Sequence, residues 1–80
     1  MSPIEIFEYK QKWMRTGNNH PVPYHSDWRR DAVEWCTTQL FKQQWLQKTF
    51  TNVYEDTMFF EHSQDAKNFS NYMKKIQNKG

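Results

Sequence analysis

The residues able to do chemistry in this chain are few and far apart. His20, His25 and His62 are the only histidines, and Cys36 is the only cysteine. A structural zinc site draws four ligands from His and Cys at short recurring spacings. One Cys and three scattered His supply no such pattern, so no metal is expected. A cysteine nucleophile needs a base beside it and some access to solvent. Cys36 instead shares a helical face with Ala32 and Trp35, where a free thiol behaves as a small hydrophobe. Glu55 and Asp56 are adjacent on an expected strand, so their carboxylates point to opposite sides and form no acid–base pair. With Glu61 after the strand, they read as charges that keep a hairpin from pairing with its neighbours. Gly17 and Gly80 are the only glycines, which leaves no glycine-rich phosphate loop. No catalytic residue, cofactor or metal is therefore expected, and the chain reads as non-enzymatic.

Aromatic chemistry is what the sequence has in quantity. Phe, Tyr and Trp make up 18% of the residues, with four Trp among them. Each ring can bury about 150–250 Å², so a few suffice for a small core. Four Trp exceed what so small a core can enclose, and Trp, Tyr, Met and Arg are the types enriched at interface centres. The candidate binding surface is Trp13, Tyr24 and Trp28 in the N-terminal half, with Trp45, Lys48, Tyr54 and Phe59 on the hairpin. The reading preferred is capture of a protein partner. The alternative is single-stranded nucleic acid stacked on Trp45, Tyr54 and Phe59, with Lys42 and Lys48 near phosphates. Against it, Glu55, Asp56 and Glu61 would repel phosphate on the same hairpin, and the glycine-bearing RNA-recognition signature is missing. A homodimer that enlarges a marginal core is the second alternative.

The elements that hold these residues can be read from caps and periodicity. Ser2 as N-cap, Pro3 at the first helical position and Glu5 completing a capping box open a helix over about 3–15. Glu5, Glu8, Lys12 and Arg15 form its polar stripe, with Ile6, Phe7, Tyr9, Trp13 and Met14 on the apolar side. Gly17 stops it in the left-handed conformation. Pro21 and Pro23 exclude a helix and make about 18–25 an extended segment, either a loop or an edge strand. A second helix over about 27–42 places Trp28, Ala32, Trp35, Cys36, Gln39 and Leu40 on one face. Aromatic and β-branched residues then predict an antiparallel hairpin over about 44–61, turning at Asn52. In its second strand Met58 and Phe60 face one way, Thr57 and Phe59 the other. A third helix opens at Ser63 and runs over about 64–77, with a stripe of Ala66, Phe69, Met73 and Ile76. The fold class is α+β. If residues 20–24 pair with the hairpin, the order becomes a ferredoxin-like β-α-β-β-α unit with an extra N-terminal helix.

The run V-Y-E-D-T-M-F-F-E-H-S-Q-D-A-K-N-F at Val53 to Phe69, with D-A-V-E-W-C earlier, resembles small uncharacterised proteins of tailed phages, T4-like and cyanobacterial ones above all. The likeness covers roughly Trp28 to Phe69. It implies a phage source and the host cytoplasm, and it carries over no active-site residue.

Composition sets the outer limits. Eighty residues make one small domain. A net charge of +2, from eleven basic and nine acidic side chains, is too balanced to name a nucleic-acid or membrane partner. A single cysteine permits no internal disulfide and favours a reducing, cytoplasmic setting. No apolar run approaches the roughly 20 residues that span a bilayer. Met1 to Glu8 does not have the pattern of a signal peptide.

Overall fold

The computed structural model describes residues 1–50 and 53–78. The turn expected at Asn52 lies outside the described residues. Helix α1 spans Pro3–Arg15 and starts as its cap signals require. The Glu5 N–H donates to Ser2 Oγ (3.2 Å) and the Ser2 N–H donates to Glu5 Oε1 (3.1 Å). Gly17 follows at φ +79°, a conformation that costs glycine little. Trp13 is buried, while Ile6, Tyr9 and Met14 are half-buried. Phe7, expected on the same apolar side, is instead 63% exposed. It stands one residue, about 100°, past Ile6 and so leaves the Ile6–Tyr9–Trp13 stripe.

The proline segment does form a strand, β1 (His20–His25). A short 3-10 turn at Ser26–Trp28 leads into α2 (Arg29–Gln39). This helix is shorter than expected, because Leu40 is already extended (φ −130°, ψ 162°). A second 3-10 turn at Lys42–Gln44 precedes β2 (Trp45–Lys48), followed by β3 (Glu55–Phe60) and α3 (Ser63–Gln77). The hairpin is thus present, with its paired part confined to these two short strands.

The three strands lie in the order β1-β3-β2, and β3 is antiparallel to both neighbours. Strands β1 and β2 therefore run parallel to each other with β3 inserted between them. Proline has no N–H to give a ladder, so Pro21 and Pro23 are tolerated because β1 is an edge. The register sets His20 and Trp45 opposite Phe60, Val22 and Gln47 opposite Met58, and Tyr24 opposite Asp56. All these side chains share one face of the sheet, while Leu46, Lys48, Thr57 and Phe59 share the other.

The first face is the buried one. Tyr24, Met58 and Phe60 meet Ala32 and Cys36 of α2 and Ala66, Phe69 and Met73 of α3. Phe69 is the hub, with its ring 5.0 Å from Phe60, 5.5 Å from Trp35 and 5.9 Å from Tyr24 between centroids. Such tilted and edge-on pairs add to the burial term. Helix α1 is fastened separately. Trp13 Nε1–H donates to the Gln43 carbonyl (3.0 Å), and the Tyr9 hydroxyl donates to Glu61 Oε2 (2.5 Å). Among the described residues no helix is long and apolar enough to cross a membrane.

Candidate functional site

Among the described residues, charged groups from separate elements meet in an interior ion pair and in an open cavity. Asp56, expected as a solvated hairpin charge, is fully buried. The reason is strand order, since β3 occupies the middle of the sheet and Asp56 faces the helices. Arg29, the first residue of α2, answers it with a two-pronged contact. Nε donates to Oδ2 (2.6 Å) and Nη2 to Oδ1 (3.0 Å). The guanidinium holds the Asp56 carboxyl below its ordinary range. Gln47 Nε2 donates to the Tyr24 hydroxyl (2.8 Å) next to this pair, and burial pushes that hydroxyl up to about 12. This network locks α2 to the sheet through the buried Asp56, while the Arg29 side chain stays partly exposed.

The second place is open. A cavity of about 430 Å³ lies where α1, the last turns of α2, the second 3-10 turn and β2 converge. Small-molecule and side-chain pockets start at about 300 Å³. Its lining is Pro3, Ile6, Lys10, Thr37, Lys42 and Trp45. Lys10 reaches it because it stands four residues after Ile6 and three before Trp13, on the inward stripe of α1. Its ammonium sits 5.2 Å from the centroid of the Trp45 ring, a cation–π contact. Burial lowers the Lys10 pKa, and the charge of Lys42 lowers it further. Among the described residues neither lysine has a carboxylate within ion-pair distance. The Trp45 Nε1–H is buried and has no acceptor among the described residues. Two smaller depressions, about 360 and 230 Å³, each include a carboxylate, Glu8 and Glu61 respectively. The lysine cavity has none in its lining.

The residues expected to bind divide sharply. Trp13 and Tyr24 are 4% and 3% exposed, so neither can offer a surface. Trp28 is half-buried against the core. Trp45 is half-buried and lines the cavity, joined there by Lys42. Lys48 and Phe59 belong to the sheet face away from the helices, opposite in direction to Trp45. Tyr54, 80% exposed, stands just before β3 with its ring stacked 6.1 Å from His25. Trp45 and Phe59 thus never share a face. The expected tryptophan surplus also resolves differently. All four Trp are buried or half-buried, and the rings left in water are Phe7, Phe41, Phe50 and Tyr54.

Lys10 and Thr37 were not among the expected site residues. A lysine on the apolar stripe of an amphipathic helix was the available signal for Lys10. Nothing local marks Thr37. Cys36 is fully buried, with burial pushing its thiol up to about 12. Among the described residues no group of three or more His, Cys, Asp and Glu is placed to hold a metal ion. No protein-family model, curated protein or solved structure matches the chain.

Proposed function

We propose that this domain is a non-catalytic binding module that captures a segment of another protein at the lysine cavity. One observation carries the reading. Ile4, Phe7 and Phe41 are 70%, 63% and 72% exposed, and each is next in sequence to a residue lining the cavity. Single exposed apolar residues are ordinary; these three flank the cavity residues Pro3, Ile6 and Lys42 along the chain, and Phe7 itself lines the depression of about 360 Å³ on α1. We read the β1-α2-β2-β3-α3 portion as a ferredoxin-like unit without its last strand, with α1 added to form the cavity wall. The insertion of β3 between β1 and β2 supports this. The likeness of Val53 to Phe69 to tailed-phage proteins supports a phage-encoded accessory protein acting in the host cytoplasm.

The test is affinity capture from host lysate with the wild-type domain and a Phe7→Ala/Phe41→Ala variant. A protein retained by the first and lost by the second is the expected result. Identical captures by both would overturn the reading. A doubled mass in solution that falls to one copy in the variant would reassign the same rings to a homodimer.

The exposed Tyr54 ring on His25, with exposed Lys48 and half-buried Phe59 on the sheet face away from α2 and α3, favours a second reading, single-stranded nucleic acid on that face. It predicts salt-dependent oligothymidylate binding that shifts the His25 and Tyr54 ring resonances and leaves Trp45 unmoved.

A further inference from the structure

Resting on that binding-module reading, we infer that the cavity recognises a carboxylate carried on an apolar group, so that the captured segment places an Asp, a Glu or a terminal carboxylate there beside an apolar side chain. The polar residues lining the cavity, apart from the Trp45 indole, are Lys10, Lys42 and Thr37. Ammonium groups only donate, and a hydroxyl can donate as well as accept. Their natural complement is an anion, and no carboxylate of the lining occupies that role. Lys42 is near enough to disfavour the charge on Lys10, and a negative group beside Lys10 removes that cost. The remaining walls, Pro3, Ile6 and the Trp45 ring, suit a methylene or aryl body.

Helix ends decide between a carboxylate and a phosphate. The first-turn amide of Glu5 at the α1 N-terminus is taken by Ser2, and Pro3 has no N–H, so little is left for a phosphate. Thr37 belongs to the last turns of α2, where the helix dipole is negative and resists a dianion more than a monoanion.

The probe is 3-phenylpropionate, with 3-phenylpropionamide, inorganic phosphate and oligothymidylate as comparisons. Binding is read from the Trp45 indole N–H resonance, assigned by its loss in Trp45→Phe. The acid should move that resonance and saturate with a dissociation constant on the order of 1 mM. The amide, or Lys42→Met with the acid, should bind about tenfold more weakly. Lys42 is exposed, so its replacement keeps the test valid even if Lys10→Met fails to fold. The inference is overturned by an immobile resonance, by equal binding of acid and amide, or by tighter binding of phosphate or oligothymidylate at the same signal. If the acid binds as stated while Phe7→Ala/Phe41→Ala leaves protein capture unchanged, the module reading fails and the carboxylate site stands. If capture depends on those rings and the acid does not bind, only the carboxylate inference fails.

Discussion

Replacing Phe69 by alanine should bring the domain close to unfolding, while the same change at Phe7 should pass almost unnoticed. Phe69 is fully buried and contacts Phe60, Trp35 and Tyr24, which come from β3, α2 and β1. Truncating a buried Phe costs about 3–5 kcal/mol through lost transfer energy and the cavity left behind. Three ring pairs, each worth about 0.5–1.5 kcal/mol beyond burial, push the loss toward the upper end. An 80-residue domain holds on the order of 4–12 kcal/mol in total. Phe69→Ala therefore removes a third of the stability at least, and the melting temperature should fall by roughly 20 °C or more. Phe7 is 63% exposed, and its replacement should stay within about 0.5 kcal/mol. Urea unfolding followed by far-UV circular dichroism measures both, with the denaturant slope checked for constancy. A loss under about 1 kcal/mol for Phe69→Ala would show that α3 is not seated on the sheet as described. An equal loss for Phe7→Ala would show that α1 turns its other side inward.

Three further outcomes follow from the buried groups. Arg29 depresses the Asp56 pKa, so the pair's stabilisation is complete above the ordinary carboxylate value of about 3.9 and is lost as pH falls through the lower folded value. Asp56→Asn should be less stable at neutral pH yet show a flatter fall of urea midpoint in acid; an unchanged acid slope would contradict this. Cys36, buried with its thiol raised to about 12, should resist an aromatic disulfide reagent in the native state and react at once in urea; rapid native reaction would refute its burial. Trp45→Phe deletes a buried donor with no acceptor among the described residues, so the gain of about 1–3 kcal/mol should offset most of the lost ring contact. A loss as large as that of Phe69→Ala would mean that the indole N–H has a partner.

What could be read from the sequence was mostly local. The Ser2–Pro3–Glu5 cap and the Gly17 stop are complete within one turn of chain, so α1 was legible to the residue. The Ala66–Phe69–Met73 stripe likewise identified the face of α3 that is buried. Residues 20–25 could not be resolved between loop and strand, because their partners lie at 55–60 and proline content alone allows both. The burial of Asp56 was hidden for the same reason, since a carboxylate near a turn reads as solvated until strand order puts it in the middle. Phe7 was misplaced because adjacent helical positions differ by about 100° and a wide apolar arc blurs at its margins. Counting tryptophans also misled. The fold hides the large indoles and leaves phenylalanines outside. Two of the six cavity residues, Lys42 and Trp45, were in view as binding candidates. Lys10 and Thr37 were not, because that cavity exists only after α1 and α2 are brought against β2.

The middle position of β3 has a consequence for how the sheet is made. As the polypeptide grows from its N-terminus, β1 and β2 appear first, yet neither bonds to the other in the finished sheet. A nascent chain reaching only Lys48 carries two separate edges and nothing to join them. Residues 55–60 complete both ladders together, closing a loop from Phe60 back to His20 across half the sequence. Until that segment arrives, helices can form but the sheet cannot, and the exposed edges are most in need of protection from neighbouring chains during that interval.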